Sequence, residues 1–260
     1  MLCMGVQHED APGRPAATLV LFRDRMDAPP DLLMVERSSS MAFAPGALVF
    51  PGGAVDADDR AIAGSLSHDL EADDAAARIA AIRETIEEAG IGVGISSMDA
   101  AMVLRLRDGL HDGKSFSNLL ARHDAIIDLS VLTPFARWHP APFDRATRVF
   151  DARFYIARAP GGQVASVDTT ENIRLLWKSA SEIIARCDQG EGRIIFPTRR
   201  NLERLAQFSS FAQALDHAGT FPVEKIRPWH EERDGEQYLC IPDHLGYPIT
   251  SEPIRHVRRG

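Results

Sequence analysis

After a polar tail, short apolar runs separated by turn-forming residues dominate residues 17–55 of the chain. Residues 17–23 (ATLVLFR) and 31–37 (DLLMVER) have the composition of strands, and the RMDAPP stretch between them predicts a hairpin connection. After the loop SSSMAFAPG, the segment ALVFPGGAV predicts a short strand joined to a Gly-Gly turn. The folded part is therefore expected to begin with a hairpin and a third short strand.

A helical repeat of apolar residues replaces this pattern over residues 74–91. The isoleucines recur at i, i+3 and i+7 within an alanine-rich segment, which favours an amphipathic helix. They are Ile79, Ile82 and Ile86. Asp73 or Asp74 is predicted to cap the start of this helix, and Gly90 to adopt the left-handed conformation that ends it.

The rest of the chain alternates strand-like and helix-like segments. Strands are expected at 131–138, 149–157, 172–178 and 238–241, and helices at 180–187, 198–208 and 209–218. Residues 56–74 hold seven acids, which is typical of a solvated insertion, and residues 98–127 predict a small helical insertion. Strands with helices between them predict an α/β fold in which helices cover a mixed sheet.

Three regions are expected from this organisation. They are a flexible tail over residues 1–15, one domain with both insertions over 16–220, and a C-terminal extension over 221–260 that packs on the domain. Apart from the strand at 238–241, the extension is expected to be irregular.

Composition and charge narrow the functional classes. The 260 residues are 45% hydrophobic, enough for a real core, and the formal net charge is -8. That charge argues against a nucleic-acid surface, so a polyanionic substrate needs a local basic patch or a metal.

The three cysteines form no CxxC pair, and we find neither a signal peptide nor a membrane span. A cytoplasmic protein is expected.

The segment RETIEEAGI places three acids near the C-terminal end of the predicted helix. Glu84, Glu87 and Glu88 lie three and four residues apart, where like charges repel by roughly 0.2–0.5 kcal/mol per pair. The negative helix end disfavours each of them by about 0.3–1 kcal/mol more. Either they form an ordinary solvated face, or a divalent cation such as Mg²⁺, which prefers oxygen ligands, offsets the repulsion. The unfavourable placement favours the cation, since departures from local rules mark functional sites.

These residues resemble the second half of the Nudix box, R-E-x-x-E-E-x-G followed by an apolar residue. The matching positions are Arg83, Glu84, Ile86, Glu87, Glu88, Gly90 and Ile91, and Gly53 matches the opening glycine. Six positions after Gly53 stands Asp59 where the pattern has a glutamate, and 23 residues rather than 7 separate it from Arg83. The box is therefore split by an insertion, and the role of its first acid is unassigned.

Segments outside the box are similar to coenzyme A diphosphatases, in particular the peroxisomal-type branch. Arg37, Ser38, Gly46 and residues 50–53 match the segment before the box, although Ala42 stands where that motif has a second arginine. The later segments FDARF (150–154) and PTRRNL (197–202) are further matches.

The resemblance implies a fold, a reaction and a cofactor. The fold is a Nudix-type α/β/α sandwich with a mixed sheet and helical insertions. The reaction is hydrolysis of the pyrophosphate bond of a nucleoside diphosphate derivative, with Mg²⁺ or Mn²⁺ as cofactor. Coenzyme A or acyl-coenzyme A is the leading substrate, giving 3′,5′-ADP and (acyl-)4′-phosphopantetheine. ADP-ribose or another such derivative, and a nucleotide sensor without catalysis, are the alternatives. Monomer and homodimer both stay open.

Site residues follow from the same resemblance. The expected metal ligands are Glu84, Glu87, Glu88 and the carbonyl of Gly52. The expected catalytic residues are Glu84, as ligand or general base, and Arg83. The expected substrate contacts are Arg37, Phe50, Gly53 and Arg148. Glu171 is a candidate for an additional ligand. Trp138, Trp177 and His139 are more readily explained as packed residues, although either tryptophan is able to border a substrate pocket.

Overall fold

The computed structural model describes residues 13–39, 44–96, 99–139, 149–167 and 172–257. Its strands are β1 (Arg14–Arg23), β2 (Asp31–Arg37), β3 (Leu48–Val49), β4 (Gly52–Ala54), β5 (Ile95–Ser96), β6 (Ile126–Ile127), β7 (Thr133–Trp138), β8 (Phe150–Arg158), β9 (Asn172–Lys178), β10 (Lys225–Ile226), β11 (Trp229–Arg233), β12 (Glu236–Cys240) and β13 (Ser251–Pro253). Its helices are α1 (Ala57–Ser65), α2 (Ala72–Ala89), α3 (Ala100–His111), α4 (Phe116–Arg122), α5 (Ala180–Asp188), α6 (Phe196–Leu205), α7 (Phe211–Thr220) and α8 (Ile254–Val257), with a 3₁₀ turn at Leu129–Val131.

One mixed sheet forms the centre of the fold. Its strand order is β10-β7-β8-β1-β2-β3, with β4 also beside β1 and β9 also beside β2. β1 pairs in parallel with β8 along nearly its whole length and antiparallel with β2 and β4. The predicted hairpin of β1 and β2 is confirmed. Gly52 and Gly53, however, belong to strand β4 opposite Thr18 and Ala17, so the prediction of a Gly-Gly turn there is wrong.

Helices cover both faces of this sheet, which confirms the expected α/β/α sandwich. Because successive side chains of a strand point to opposite faces, β1 contributes Leu19 and Leu21 to one core and Val20 and Phe22 to the other. The first core contains the isoleucines of α2, and the second contains apolar side chains of α5, α6 and α7. The C-terminal end of α2 thereby lies on the face opposite α5–α7.

Helix α2 ends as predicted and begins differently. Gly90 has φ 65° and donates its N–H to the carbonyl of Ile86, so it is the left-handed residue that ends the helix. The N-cap is Glu71, and neither Asp73 nor Asp74 caps the helix. Both lie in its first turn, where the Asp74 carboxylate is used instead by Arg78, Tyr155 and Arg153.

The segment 56–74 is not simply solvated. It contains α1, which opens with a reciprocal capping box between Asp56 and Asp59 and buries Ile62 and Ala63 against the core of α2. Asp59 is fully buried. The Asp58 carboxylate also accepts a hydrogen bond of 2.9 Å from the Ser117 N–H in α4, so the two inserted helical segments contact each other.

The C-terminal extension is also more regular than predicted. β10 adds to the edge of the central sheet beside β7, and β11, β12 and β13 form a second, antiparallel sheet. Ile226, Ile241, Leu245 and Tyr247 are buried in the same core as α5–α7. Among the described residues, no helix has both the length and the apolar composition needed to cross a bilayer.

An ion-pair cluster on the FDARF segment joins this extension to the domain. Asp151 of β8 accepts two hydrogen bonds, of 2.7 and 2.8 Å, from Arg137 of β7 and pairs at 2.6 Å with Lys225 of β10. Partial burial acts to raise the pKa of Asp151, but hydrogen bonds from Arg137 and Lys225 outweigh it and hold the pKa at about 2. Asp151 therefore contributes stability as a carboxylate.

We expect Asp151→Asn to lower the free energy of unfolding at pH 7 by about 2 kcal/mol. The pKa is depressed in the folded state, so this contribution is present above the unfolded value of 3.8 and is lost as pH falls through about 2. Urea denaturation should therefore show a smaller difference between variant and wild type at pH 3 than at pH 7. Asp216→Asn, at an exposed position of α7, is the control. An equal difference at both pH values would contradict the assignment.

Candidate active site

The three glutamates lie at the C-terminal end of α2, and their side chains differ in how far they are exposed to solvent. The side chains of Glu87, Glu84 and Glu88 are 26%, 16% and 4% exposed. An ordinary solvated helix face does not bury its acids to this extent. The acids therefore face a partly enclosed site.

The two glycines of β4 allow the backbone to approach these acids closely. A Cβ on Gly53 would lie 2.4 Å from the Glu84 carboxyl group, and one on Gly52 would lie 2.3 Å from the Ala17 carbonyl oxygen. The N–H of Gly52 donates a hydrogen bond of 3.0 Å to Oε2 of Glu88. Only glycine fits either position without displacing a neighbour. The contact between Gly52 and the acids is thus made by its N–H, and the role of its carbonyl as a metal ligand stays a prediction.

Arg83 is the counter-ion of the acid cluster. Its Nη1 donates to Oε1 of Glu84 at 2.8 Å and lies 3.3 Å from Oε2 of Glu87. Its Nε and Nη2 bind both oxygens of Asp59 at 2.9 and 2.8 Å, and Nη2 also donates to the carbonyl of Ala54. The guanidinium fork is therefore occupied on every side, which fixes the orientation of the glutamates.

Asp59 thereby acquires the role that the sequence left unassigned. Although 23 residues separate it from Arg83, α1 folds back so that Asp59 meets the arginine in a buried bidentate pair. The signal available in the sequence was its position six residues after Gly53. Burial raises the pKa of Asp59, while hydrogen bonds from Arg83 act in the opposite direction.

Arg37 lies beside the most deeply buried glutamate. Its Nη1 is 3.9 Å from Oε1 of Glu88, at the end of β2. Asn172, opposite Arg37 in the β2–β9 register, is buried, and its side chain acts to lower the pKa of Glu88. Sequence analysis did not identify Asn172, because its place depends on strand pairing.

The remaining predicted residues fall in several places. Phe50 is buried in the core on the α5–α7 side of the sheet. Trp138 lies in the same core and donates to Tyr247 and Asn201, whereas Trp177 packs under the Arg23 guanidinium. His139 is buried. Ala42, Arg148 and Glu171 lie outside the described residues.

The electrostatics of the cluster are unusual for carboxylates. Burial, reinforced by the charge of Glu84, raises the pKa of Glu88 to about 8. Burial also raises the pKa of Glu84 to about 7, although Arg83 acts against it. Near neutral pH, the protonated form of Glu88 is therefore favoured and Glu84 is divided between its two forms, and a nearby positive charge would shift both toward the carboxylate.

Comparison with known proteins assigns the family. No family model matches the chain. It is 30% identical over 257 residues to acyl-coenzyme A diphosphatase NUDT19 of Gallus gallus, covering 76% of this chain and 67% of that protein. It is 26% identical over 249 residues to its Homo sapiens counterpart, covering 76% and 66%. The chain thus spans about two thirds of the length of these curated relatives.

A solved structure shares the fold. A NUDIX hydrolase from Alicyclobacillus acidocaldarius superposes with a TM-score of 0.67 at 27% identity, over 79% of this chain and 96% of that one. The α/β/α sandwich and the R-E-x-x-E-E segment at the end of α2 agree with this likeness. The chain belongs to the Nudix hydrolase family and resembles its coenzyme A diphosphatase branch.

The donor set fits the divalent cation that this family implies. Within the described residues, no three His, Cys, Asp or Glu side chains already converge as a complete metal-binding group. Mg²⁺ needs only one or two carboxylates, however, and takes water and substrate phosphates at its other positions. Glu84 and Glu88, which repel each other in a buried setting, provide carboxylates of that kind.

We expect Asp59→Asn to lower the free energy of unfolding by about 3 kcal/mol, since it leaves the buried Arg83 without its bidentate partner. Asp69→Asn is the matched control, because Asp69 is an exposed acid of the same inserted segment. Chemical denaturation of both variants measures the effect. Equal stabilities for the two would restore the interpretation of 56–74 as a merely solvated insertion.

A second prediction concerns the metal-free protein at different pH values. The pKa of Glu88 is raised from 4.5 to about 8 in the folded state, so the folded state loses stability as pH rises through this window. Glu88→Gln cannot ionise. In the presence of a metal chelator, its free energy of unfolding relative to that of wild type should increase by about 2 kcal/mol between pH 6 and pH 8. Glu71→Gln, at the exposed start of α2, should show no such trend, and a flat Glu88→Gln difference would refute the assignment.

Proposed function

We propose that this chain hydrolyses the pyrophosphate bond of a nucleoside diphosphate derivative. The observation that carries the proposal is the acid cluster at the end of α2, in which Arg83 holds Glu84 and Glu87, and the Gly52 N–H binds Glu88. Membership of the Nudix family supports the same reaction. Hydrolysis of this kind needs positioning and charge neutralisation more than covalent chemistry by the protein.

A divalent cation, Mg²⁺ or Mn²⁺, is the proposed cofactor. Glu84, Glu87 and Glu88 are its proposed ligands, with the carbonyl of Gly52 as a further one. When bound, such a cation neutralises charge on phosphate oxygens and acidifies water. Burial, with a smaller contribution from repulsion between the acids, raises the pKa values of Glu84 and Glu88; a bound cation favours their charged forms, which supports this proposal.

The protein's own residues have separate proposed tasks. Arg83 holds the carboxylates of Glu84 and Glu87 at fixed positions. Glu84 is a ligand or the general base, and a pKa of about 7 suits proton transfer near neutral pH. Arg37, the last residue of β2 and a neighbour of Glu88, provides a guanidinium for a phosphate of the substrate.

Coenzyme A or an acyl-coenzyme A is the proposed substrate, with 3′,5′-ADP and (acyl-)4′-phosphopantetheine as products. The support is the likeness to two acyl-coenzyme A diphosphatases, including 30% identity to the Gallus gallus protein. A reducing compartment such as the cytoplasm is proposed as the location, consistent with the free thiols of Cys187 and Cys240.

The test offers the full chain coenzyme A, an acyl-coenzyme A and ADP-ribose in parallel, each with Mg²⁺, Mn²⁺ or chelator, and separates the products by chromatography. We expect coenzyme A substrates to be cleaved at the pyrophosphate only when the cation is present. Turnover of ADP-ribose with coenzyme A untouched would overturn the substrate assignment. Binding of nucleotide without turnover in any divalent ion would favour a sensor.

The matched variants are Glu87→Gln and Glu71→Gln, at opposite ends of α2. Glu87→Gln should fold and lose about 100-fold or more in turnover, because loss of about 3 kcal/mol of charge stabilisation in the transition state corresponds to that factor. Glu71→Gln should keep the wild-type rate. A folded Glu87→Gln enzyme with normal turnover would remove Glu87 from the proposed ligands.

A further inference from the structure

The carbonyl groups at the C-terminal end of α2 are satisfied from outside the helix. A helix leaves its last four carbonyls without partners of its own. Here the carbonyl of Glu87 accepts a hydrogen bond of 2.8 Å from Nε of Arg107, and that of Glu88 accepts one of 3.4 Å from Nη2 of the same side chain. The carbonyl of Ala89 accepts one of 2.9 Å from the N–H of Ser166. Two consecutive residues of the acid cluster therefore share one guanidinium.

Arg107 belongs to α3, inside the helical insertion that the box pattern does not contain. It is buried, with 6% of the residue exposed. Its third nitrogen, Nη1, donates a hydrogen bond of 2.9 Å to Oγ of Ser166. The absence of a side chain on Gly90 leaves room for this group, since a Cβ there would lie 3.3 Å from Nη1. Arg107 is thus held firmly at the point where α2 ends.

The backbone contacts of Arg107 bear directly on the acids. Glu87 and Glu88 project from the peptide units whose carbonyls Arg107 binds, so these hydrogen bonds fix the backbone from which both side chains extend. The positive charge also lies at the negative end of the helix, where it offsets the unfavourable placement of the acids.

We propose that Arg107 is a positioning residue for the metal site: it holds the backbone of Glu87 and Glu88 so that their carboxylates are arranged for the divalent cation. This inference rests on the proposed function, because it assumes that these glutamates bind a cation. It also gives the 98–127 insertion a task, which is to complete the end of α2. A lysine carries the charge but lacks the planar fork that reaches two carbonyls at once.

Arg78 provides the matched control for a merely structural role. It is equally buried, at 6%, and lies on α2 itself. It too donates to two backbone carbonyls, those of Leu129 and Leu132. Nine residues of helix, about 13 Å at 1.5 Å per residue, separate it from Glu87. Loss of either arginine should destabilise the protein, but only loss of Arg107 should alter the metal site.

The experiment measures Mn²⁺ and Mg²⁺ binding by titration calorimetry, without substrate, at pH 8. Compared with wild type, we expect Arg107→Gln to bind the cation about 10–100-fold more weakly, the range typical for loss of a group that orients metal ligands. Arg107→Lys should fall between the two. Arg78→Gln should bind as wild type does. Turnover of coenzyme A at saturating cation should be reduced far less than the metal affinity.

Two results would overturn the inference. One is Arg107→Gln binding within twofold of wild type, and the other is Arg78→Gln weakening the affinity as much as Arg107→Gln does. If neither substitution at position 107 folds, Ser166→Ala decides, since it removes the hydroxyl that anchors Nη1; unchanged affinity would then refute the inference. Wild-type protein that binds no divalent cation would instead refute the proposed function itself.

Discussion

The charge balance at the end of α2 is the constraint on which the site depends. Three glutamates are placed where they repel each other and where the helix end disfavours them, and two of them are largely buried. The Arg83 guanidinium, divided between Asp59 on one side and Glu84 and Glu87 on the other, makes this arrangement tolerable without a cation. The compensation is incomplete, since burial and, to a smaller extent, repulsion between the acids still raise the pKa values of Glu84 and Glu88. What remains is a site with a deficit of positive charge, beside Arg37.

The segments 56–74 and 98–127 both contact this same helix. The first supplies Asp59 as the buried partner of Arg83, and the second supplies Arg107 to the carbonyls of Glu87 and Glu88. Contact between Asp58 and Ser117 joins the two inserted segments. In this split box, Asp59 lies on helix α1, which returns the acid to Arg83. Asp59 and Arg83 are thus far apart along the chain but in direct contact in the fold.

Close approach of backbone to side chain is the other requirement of the site. Gly53 leaves room for the Glu84 carboxyl group, and Gly52 packs on β1 while donating its N–H to Glu88. The opposite face of the sheet holds a continuous core that includes the C-terminal extension, and Asp151 joins that extension to β7 and β8. The rigid elements around the acids are therefore supported from both faces.

The sequence by itself determined the elements whose signals are local. The isoleucine repeat and Gly90 specify α2 and its end, short apolar runs specify β1 and β2, and the R-E-x-x-E-E pattern locates the acids and the family. Tertiary structure decided the partners. Asp59, Arg107 and Asn172 gain their places from a folded-back helix, an inserted helix and a strand register, none of which has a signature within a short window. The predicted strand at 238–241 corresponds to β12, but its partners β11 and β13 and the strand at Gly52–Gly53 were missed for the same reason. Glycines and polar residues form strands there because a neighbouring strand pairs with them, not because of their own propensity.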